Sequence, residues 1–183
     1  MNKINYLYAI AALALITQPV LAQQNWPTRA VRVIVPYAAG GNTDFTARTV
    51  GAKLSEMWGQ QVIVDNRPGG GTNIGSELAA KAAPDGYVLF MGGASNAVNM
   101  TLYAKPPYNT LRDFAPVAWC VQGAALLAAH PSLPAKNVKE LVALAKSRPG
   151  QLNYGHAGLG SSNHMAGELL KVMTGINILH VPY

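Results

Sequence analysis

Thiols, charge and long apolar runs are all scarce in this chain. Cys120 is the single cysteine in 183 residues, so no internal disulfide forms and no thiol-rich metal site exists. It lies in the apolar run VAWCVQGAALLAA, where a buried structural thiol is the expected setting. Only 12% of the residues are charged, and the formal charge of +6 is spread without a Lys/Arg block. A nucleic-acid partner is therefore not expected. No stretch reaches the ~20 apolar residues that a bilayer span needs. Half of the residues are hydrophobic, which allows a well-buried core and argues against disorder.

The first residues read as a leader. Lys3 gives a positive start, LYAIAALALI (7–16) an apolar centre, and Val20-Leu21-Ala22 small residues at the cleavage positions. The expected mature chain begins near Gln23, with formal charge +5 once Lys3 is removed.

Hydrophobic patterning then suggests alternating strands and helices. VRVIVP (31–36), QVIVD (61–65) and YVLFM (87–91) read as strands. Between them, residues 43–58 carry Ala47, Val50, Leu54, Met57 and Trp58 on one helical face, and TNIGSELAAKAA spaces Ile74, Leu78 and Ala82 by four. Such alternation implies right-handed crossovers and a parallel sheet. Beyond Phe114, APVAWCVQGAALLAAHP is compatible with two strands around a bend at Gly123. Asn137 with Glu140 forms a capping box opening VKELVALAKS. LNYG (152–155) is a strand, and SSNHMAGELLKVMTG a helix with Met165, Leu169, Val172 and Met173 inward and Gly175 as its C-terminal cap. ILHVPY (178–183) is a last strand, and the α/β unit reads as interrupted there.

One device occurs twice. VPYAAGGNTDFTAR and NYGHAGLGSSNHMAGEL each run from strand through a glycine-bearing loop to a helix start. The first turn of a helix has N–H groups without intrahelical partners and the positive end of the dipole, which together suit an anion. Asn42, Thr43, Ser161 and Ser162 either cap their helices or face a ligand. Neither junction has the lysine of a phosphate-binding P-loop. The second lacks the third glycine and the downstream acid of a dinucleotide fingerprint. No G-x-S-x-G elbow or H-E-x-x-H pair occurs, so neither a serine hydrolase nor a metal site is expected. His156 and His164 flank the second junction and could face a ligand or serve the fold, while Asp44 in its first turn suits the helix dipole. The reading left is an organic carboxylate held without being transformed, with no catalytic residue and no cofactor.

These residues also resemble a known family. WPTRAVRVIVPYAAGGNTDFTAR, VDNRPGGGTNIGSELAAKAAPDGYVLFMG, LRDFAPVA, PAKNVKELVALAKSRPGQLNYGHAGLGSSNHMAGEL and HVPY are similar, in order and spacing, to the Bug-type periplasmic solute-binding proteins of tripartite tricarboxylate transporters. The resemblance covers nearly all of residues 26–183. It implies an α/β, type II periplasmic-binding-protein-like fold, two lobes with parallel-rich sheets, stopping within the second lobe. Residues 1–22 would be the signal peptide, 23–113 the first lobe, and 114–183 the hinge and an incomplete second lobe.

The resemblance further implies a periplasmic monomer that passes a small carboxylate to the membrane permease subunits of the transporter. A sensing module that presents the carboxylate to a membrane signalling partner is the alternative. The implied ligand residues are Tyr37, Ala38, Ala39, Gly40, Gly41, Asn42, Thr43 and Asp44 after the first strand. Ser95 and Asn96 follow in a loop after the third, where many members carry a Thr-His-like pair. Gly158, Gly160, Ser161, Ser162 and His164 complete the set at the second junction.

Overall fold

The computed structural model describes residues 26–183. The leader expected over 1–22 lies outside the described residues. β1 (Val31–Val35) is the central strand of a three-stranded sheet of order β2-β1-β3, with β2 at Val62–Asn66 and β3 at Val88–Phe90. Both pairings are parallel, with Val33 opposite Val64 on one side and Leu89 on the other. A strand paired on both edges and largely covered on both faces favours β-branched apolar residues, which accounts for the VRVIV run, with Arg32 as its one polar position. Val31, Val33, Ile34 and Val35 are all buried. Each contributes roughly 1.5–3 kcal/mol by leaving water. Arg32 pairs diagonally with Asp65 on β2.

α1 (Asn42–Trp58) follows β1 and packs Ala47 onto Val33 and Val35, with Val62, Val64, Leu89 and Met91 around them. Gly51 allows this close approach, since a Cβ there would lie 3.1 Å from Val62 Cγ1. The stripe expected on this helix holds at Ala47, but Met57 is exposed because the helix end overhangs the short sheet.

α2 (Asn73–Ala80) differs more. Ile74 and Leu78 are exposed, and the buried face is Gly75 and Ser76. Backbone contact selects this face: a Cβ on Gly75 would stand 2.6 Å from Arg67 O and 2.9 Å from Pro36 Cα. α3 (Ala94–Leu102) follows β3, where a loop was expected. A buried polar network ties it to the preceding elements. Asn96 Nδ2 donates to Ser76 Oγ at 2.7 Å, and Asn99 Nδ2 donates to Gly71 O at 2.8 Å and Asn73 Oδ1 at 3.0 Å. Between them lies Thr72, whose positive φ of 78° is held by this surround.

The second unit is a β-α-β crossover. β4 (Asn153–His156) pairs in parallel with β5 (Leu179–Pro182), and α5 (Ser162–Thr174) connects them. α4 (Val138–Ser147) precedes β4 and supplies Ala145 to a core with Ile176 and Ile178, flanked by Val142, Leu152, Tyr154 and Leu170. The N-cap half of the expected box is present, Asn137 Oδ1 accepting from Glu140 N–H at 2.9 Å, but Glu140 Oε2 accepts from Lys136 N–H at 2.7 Å rather than from the Asn137 N–H, so the box is not closed. The stripe expected on α5 does not form. Leu169, Val172 and Met173 are exposed and Leu170 takes the core position, because the sheet beneath has only two strands.

Residues 115–130 form neither helix nor strand, against the two strands expected. With no described strand beside them to complete a ladder, their apolar side chains stay in water, Trp119 and Leu126 among them. Cys120 is consequently exposed, not buried. Among the described residues no helix is long and apolar enough to cross a membrane.

The contact at Gly75 is testable. Gly75→Ala gains helix propensity, but its methyl meets two backbone segments that cannot turn aside. We expect a net destabilisation of about 1–3 kcal/mol by urea unfolding; equal or higher stability would show that α2 shifts freely on the sheet.

Candidate functional site

Strand order 2-1-3 creates a switch point. Right-handed crossovers send α1 over one face and the β2-to-β3 connection over the other, so the loops after β1 and β3 diverge at the C-terminal edge. Tyr37 and Ser95 meet across this crevice, the Tyr37 hydroxyl donating to Ser95 Oγ at 3.2 Å. Burial pushes the Tyr37 hydroxyl above its usual pKa, so it remains a donor at neutral pH. Asn66, at the end of β2, braces the loop by donating to Tyr37 O at 3.1 Å and accepting from Arg48 at 2.9 Å.

Ala38, Ala39, Gly40, Gly41 and Asn42 line the exposed loop, with Thr43 half-buried. Gly40 has a φ of 83°, and Gly41 is an N-cap without a side chain to offer. Phe45 N–H is the first to bond within the helix, to Gly41 O. Among the described residues, the N–H groups of Asn42, Thr43 and Asp44 donate to no protein acceptor. The Asp44 side chain is engaged instead. Its Oδ2 accepts from Gly40 N–H at 2.8 Å and from Arg48 Nε at 3.0 Å. The Arg48 hydrogen bond, with the Gly40 amide, holds the carboxyl down at about 2.

Ser95 and Asn96 lie in the first turn of α3 rather than in a loop, and both are buried. Asn96 is occupied on every side: its Oδ1 accepts from Gly93 N–H at 2.8 Å and its amide nitrogen serves Ser76 and Tyr108. Ser95 keeps its place beside Tyr37.

At the second junction, Ser161 caps α5 by accepting from His164 N–H at 3.2 Å, and Gly160 N–H donates to His164 Nδ1 at 3.2 Å. The N–H groups of Ser162 and Asn163 have no protein acceptor among the described residues. Ser162 is exposed, and Gly158 and Gly160 both have positive φ. Gly160 lies directly on α3, where a Cβ would stand 3.0 Å from Asn99 Oδ1. α3 thus links the two junctions, touching the first through Ser95 and the second through Asn99. His156 and His180, absent from the expected set, lie beside His164. Burial, and then these two neighbours, lower the pKa of His164. Sequence spacing carries no sign of this group, because strand pairing assembles it.

The Asp44 ion pair gives a pH prediction. A carboxyl whose pKa falls on folding adds stability above its unfolded value of 3.8, and that stability is lost as pH drops towards about 2. The urea-midpoint difference between wild type and Asp44→Asn should be constant above pH ~5, fall as pH drops through the folded value of about 2, and vanish near pH ~1. A difference independent of pH would assign the effect to packing.

Comparison with known proteins identifies the family. The family described as the tripartite tricarboxylate transporter family receptor matches residues 46–183. Protein BugT of Bordetella pertussis is 37% identical over 174 residues, covering 94% of this chain and 53% of its own length. A UPF0065 protein from the tcbD–tcbE intergenic region of Pseudomonas sp. (strain P51) is 38% identical over 174 residues, covering 94% and 52%. Among solved structures, R. palustris Rpa4515 with adipate has a TM-score of 0.83 and 42% identity, covering 86% of this chain and 53% of that one. MatC from Rhodopseudomonas palustris with bound malate has a TM-score of 0.77 and 33% identity, covering 86% and 54%. The chain spans about half the length of the curated relatives it matches.

Proposed function

This chain belongs to the tripartite tricarboxylate transporter receptor family, and from that membership we propose that it forms the carboxylate-gripping part of a periplasmic solute-binding protein. The ligand is a small dicarboxylate or a close relative, carried to a membrane permease without chemical change. Its carboxylate oxygens accept from the unpaired N–H groups of Asn42, Thr43 and Asp44, with Tyr37 and Ser95 at the side. Those of Ser162 and Asn163 serve the far end. The observation that carries the reading is the bare start of α1, a 17-residue helix whose N-cap is glycine and whose first three amides have no protein partner. Amides in that position favour an anion through both hydrogen bonding and the macrodipole.

Adipate and malate in two similar structures support the ligand class. Of the residues implied by the resemblance, Asn96, Ser161 and Asp44 act in this reading by shaping the loops, since their side chains are already bonded. Ala38, Ala39, Gly40, Gly41, Gly158 and Gly160 contribute backbone, and His164 positions the second loop.

Proline at the first helical position removes one N–H while keeping helical geometry, and Gly41 already has the extended backbone that proline demands of its predecessor. Asn42→Pro should therefore weaken calorimetric adipate binding about 10–100-fold relative to Asn42→Ala, the range of one hydrogen bond to a charged group. Similar affinities for the two variants would remove the α1 amides from the site; no binding of adipate, malate or citrate by wild type would reject the carboxylate reading.

A further inference from the structure

Three histidines converge at the C-terminal end of the second sheet. His156 ends β4, His180 lies on the paired strand β5, and His164 stands in the first turn of α5 between them in sequence. The strand register sets His180 opposite Tyr154, two residues before His156. One nitrogen from each ring lies within 4.8 Å of the other two, and the ring centroids are 4.6–5.3 Å apart. His156 and His164 are buried and His180 is exposed, so the group has a wall and an opening.

The protons can be placed. Gly158 O lies 2.9 Å from His156 Nδ1, and a carbonyl only accepts, so this Nδ1 carries hydrogen. In the neutral ring the lone pair is then on Nε2, which faces His180 Nδ1 at 3.1 Å. A histidine that donates one nitrogen to a backbone carbonyl and presents the other is oriented as metal-ligating histidines are. Two nitrogens bound 2.0–2.1 Å from a tetrahedral ion stand about 3.3 Å apart, so the 3.1 Å pair needs to open only slightly. The third ring supplies the next corner. No carboxylate joins the set: Glu168 is held by Tyr154 at 2.9 Å and Lys171 at 2.9 Å. All-imidazole donors suit zinc, copper or nickel rather than calcium or magnesium, which prefer oxygen.

We propose that His156, His164 and His180 together bind one borderline transition-metal dication, with Zn2+ as the reference ion. The site uses side chains that the carboxylate reading leaves free, except that His164 also steadies the second loop, and it stands whether or not that reading holds. Three imidazoles leave a coordination position for water or an oxygen ligand. Loading has a local consequence. His164 Nδ1 now accepts from Gly160 N–H at 3.2 Å. If Nδ1 binds the ion, its lone pair is taken. If Nε2 binds, the ring proton moves to Nδ1. In either case the Gly160 amide loses its acceptor.

The test is titration of the full chain, free of affinity-tag histidines, with Zn2+ by calorimetry in a non-chelating buffer, alongside amide NMR. One ion per chain should bind, and the Gly160 amide resonance should shift. The exposed His180→Gln, which disturbs no core packing, should weaken binding at least about tenfold, while His130→Gln, distant in the chain and bonded to Ser132, should leave it unchanged. His156→Gln should match His180→Gln; if it unfolds, His180→Gln decides alone. No zinc uptake at about 100 µM, or equal binding by wild type and His180→Gln, overturns the proposal. Binding that leaves the Gly160 amide unmoved removes His164 and overturns the three-ligand site.

Discussion

The double-sided pairing of β1 is the constraint on which the site rests. Each edge of this strand is hydrogen-bonded and each face is covered, so the point at which it ends is fixed relative to both neighbours. Pro36 then prevents the ladder from continuing through its own nitrogen, and the chain must leave the sheet. The loop is braced from β2 by Asn66 and from α3 by Ser95, one contact from each side of the switch point. A short, three-stranded sheet can therefore hold a glycine-rich loop in one place without a disulfide.

Polar side chains around the junctions are mostly turned inward to keep backbone in position. Asn96 and Asn99 satisfy buried groups on α2 and on the turn Gly70–Thr72 that precedes it, and Ser161 satisfies its own helix. Alongside the exposed Asn42 and Ser162, the first backbone N–H groups of α1 and α5 are left without a partner among the described residues. Backbone donors are attached to rigid elements and lose little freedom when a ligand arrives, unlike a long arginine.

Legibility in the sequence followed the same division. The strands, α1 and the capped α4 were readable because period-2 and period-3.6 patterns report burial on elements that pack against complete neighbours. The stripe on α5 was misread for the converse reason: Leu169, Val172 and Met173 have the right period, but the two-stranded sheet offers them no surface. Residues 115–130 and Cys120 follow suit, since apolar composition alone does not supply a strand partner. α2 was placed correctly but faced wrongly, because the buried face is small residues chosen by close backbone approach, and hydrophobicity scales overlook glycine and serine. The glycine loops were legible as local chemistry. The roles of Asn66, Asn99 and the three histidines were not, since each depends on register between segments distant in the chain.

On charge alone, Asp44 in the first turn of α1 opposes an anion site, yet the geometry resolves the conflict. Its carboxylate is drawn to one side by Arg48, one helical turn on, and backwards by the Gly40 amide. The pair is close to neutral as seen from the loop, so the macrodipole, about half a positive charge at this helix start, is left largely uncancelled. At α5 the arrangement differs. Ser161 takes the His164 amide, leaving two unpaired amides where α1 leaves three. The two junctions are thus unequal in donors. An acidic residue that shapes the loop while its charge is cancelled by its own helix is therefore compatible with anion capture.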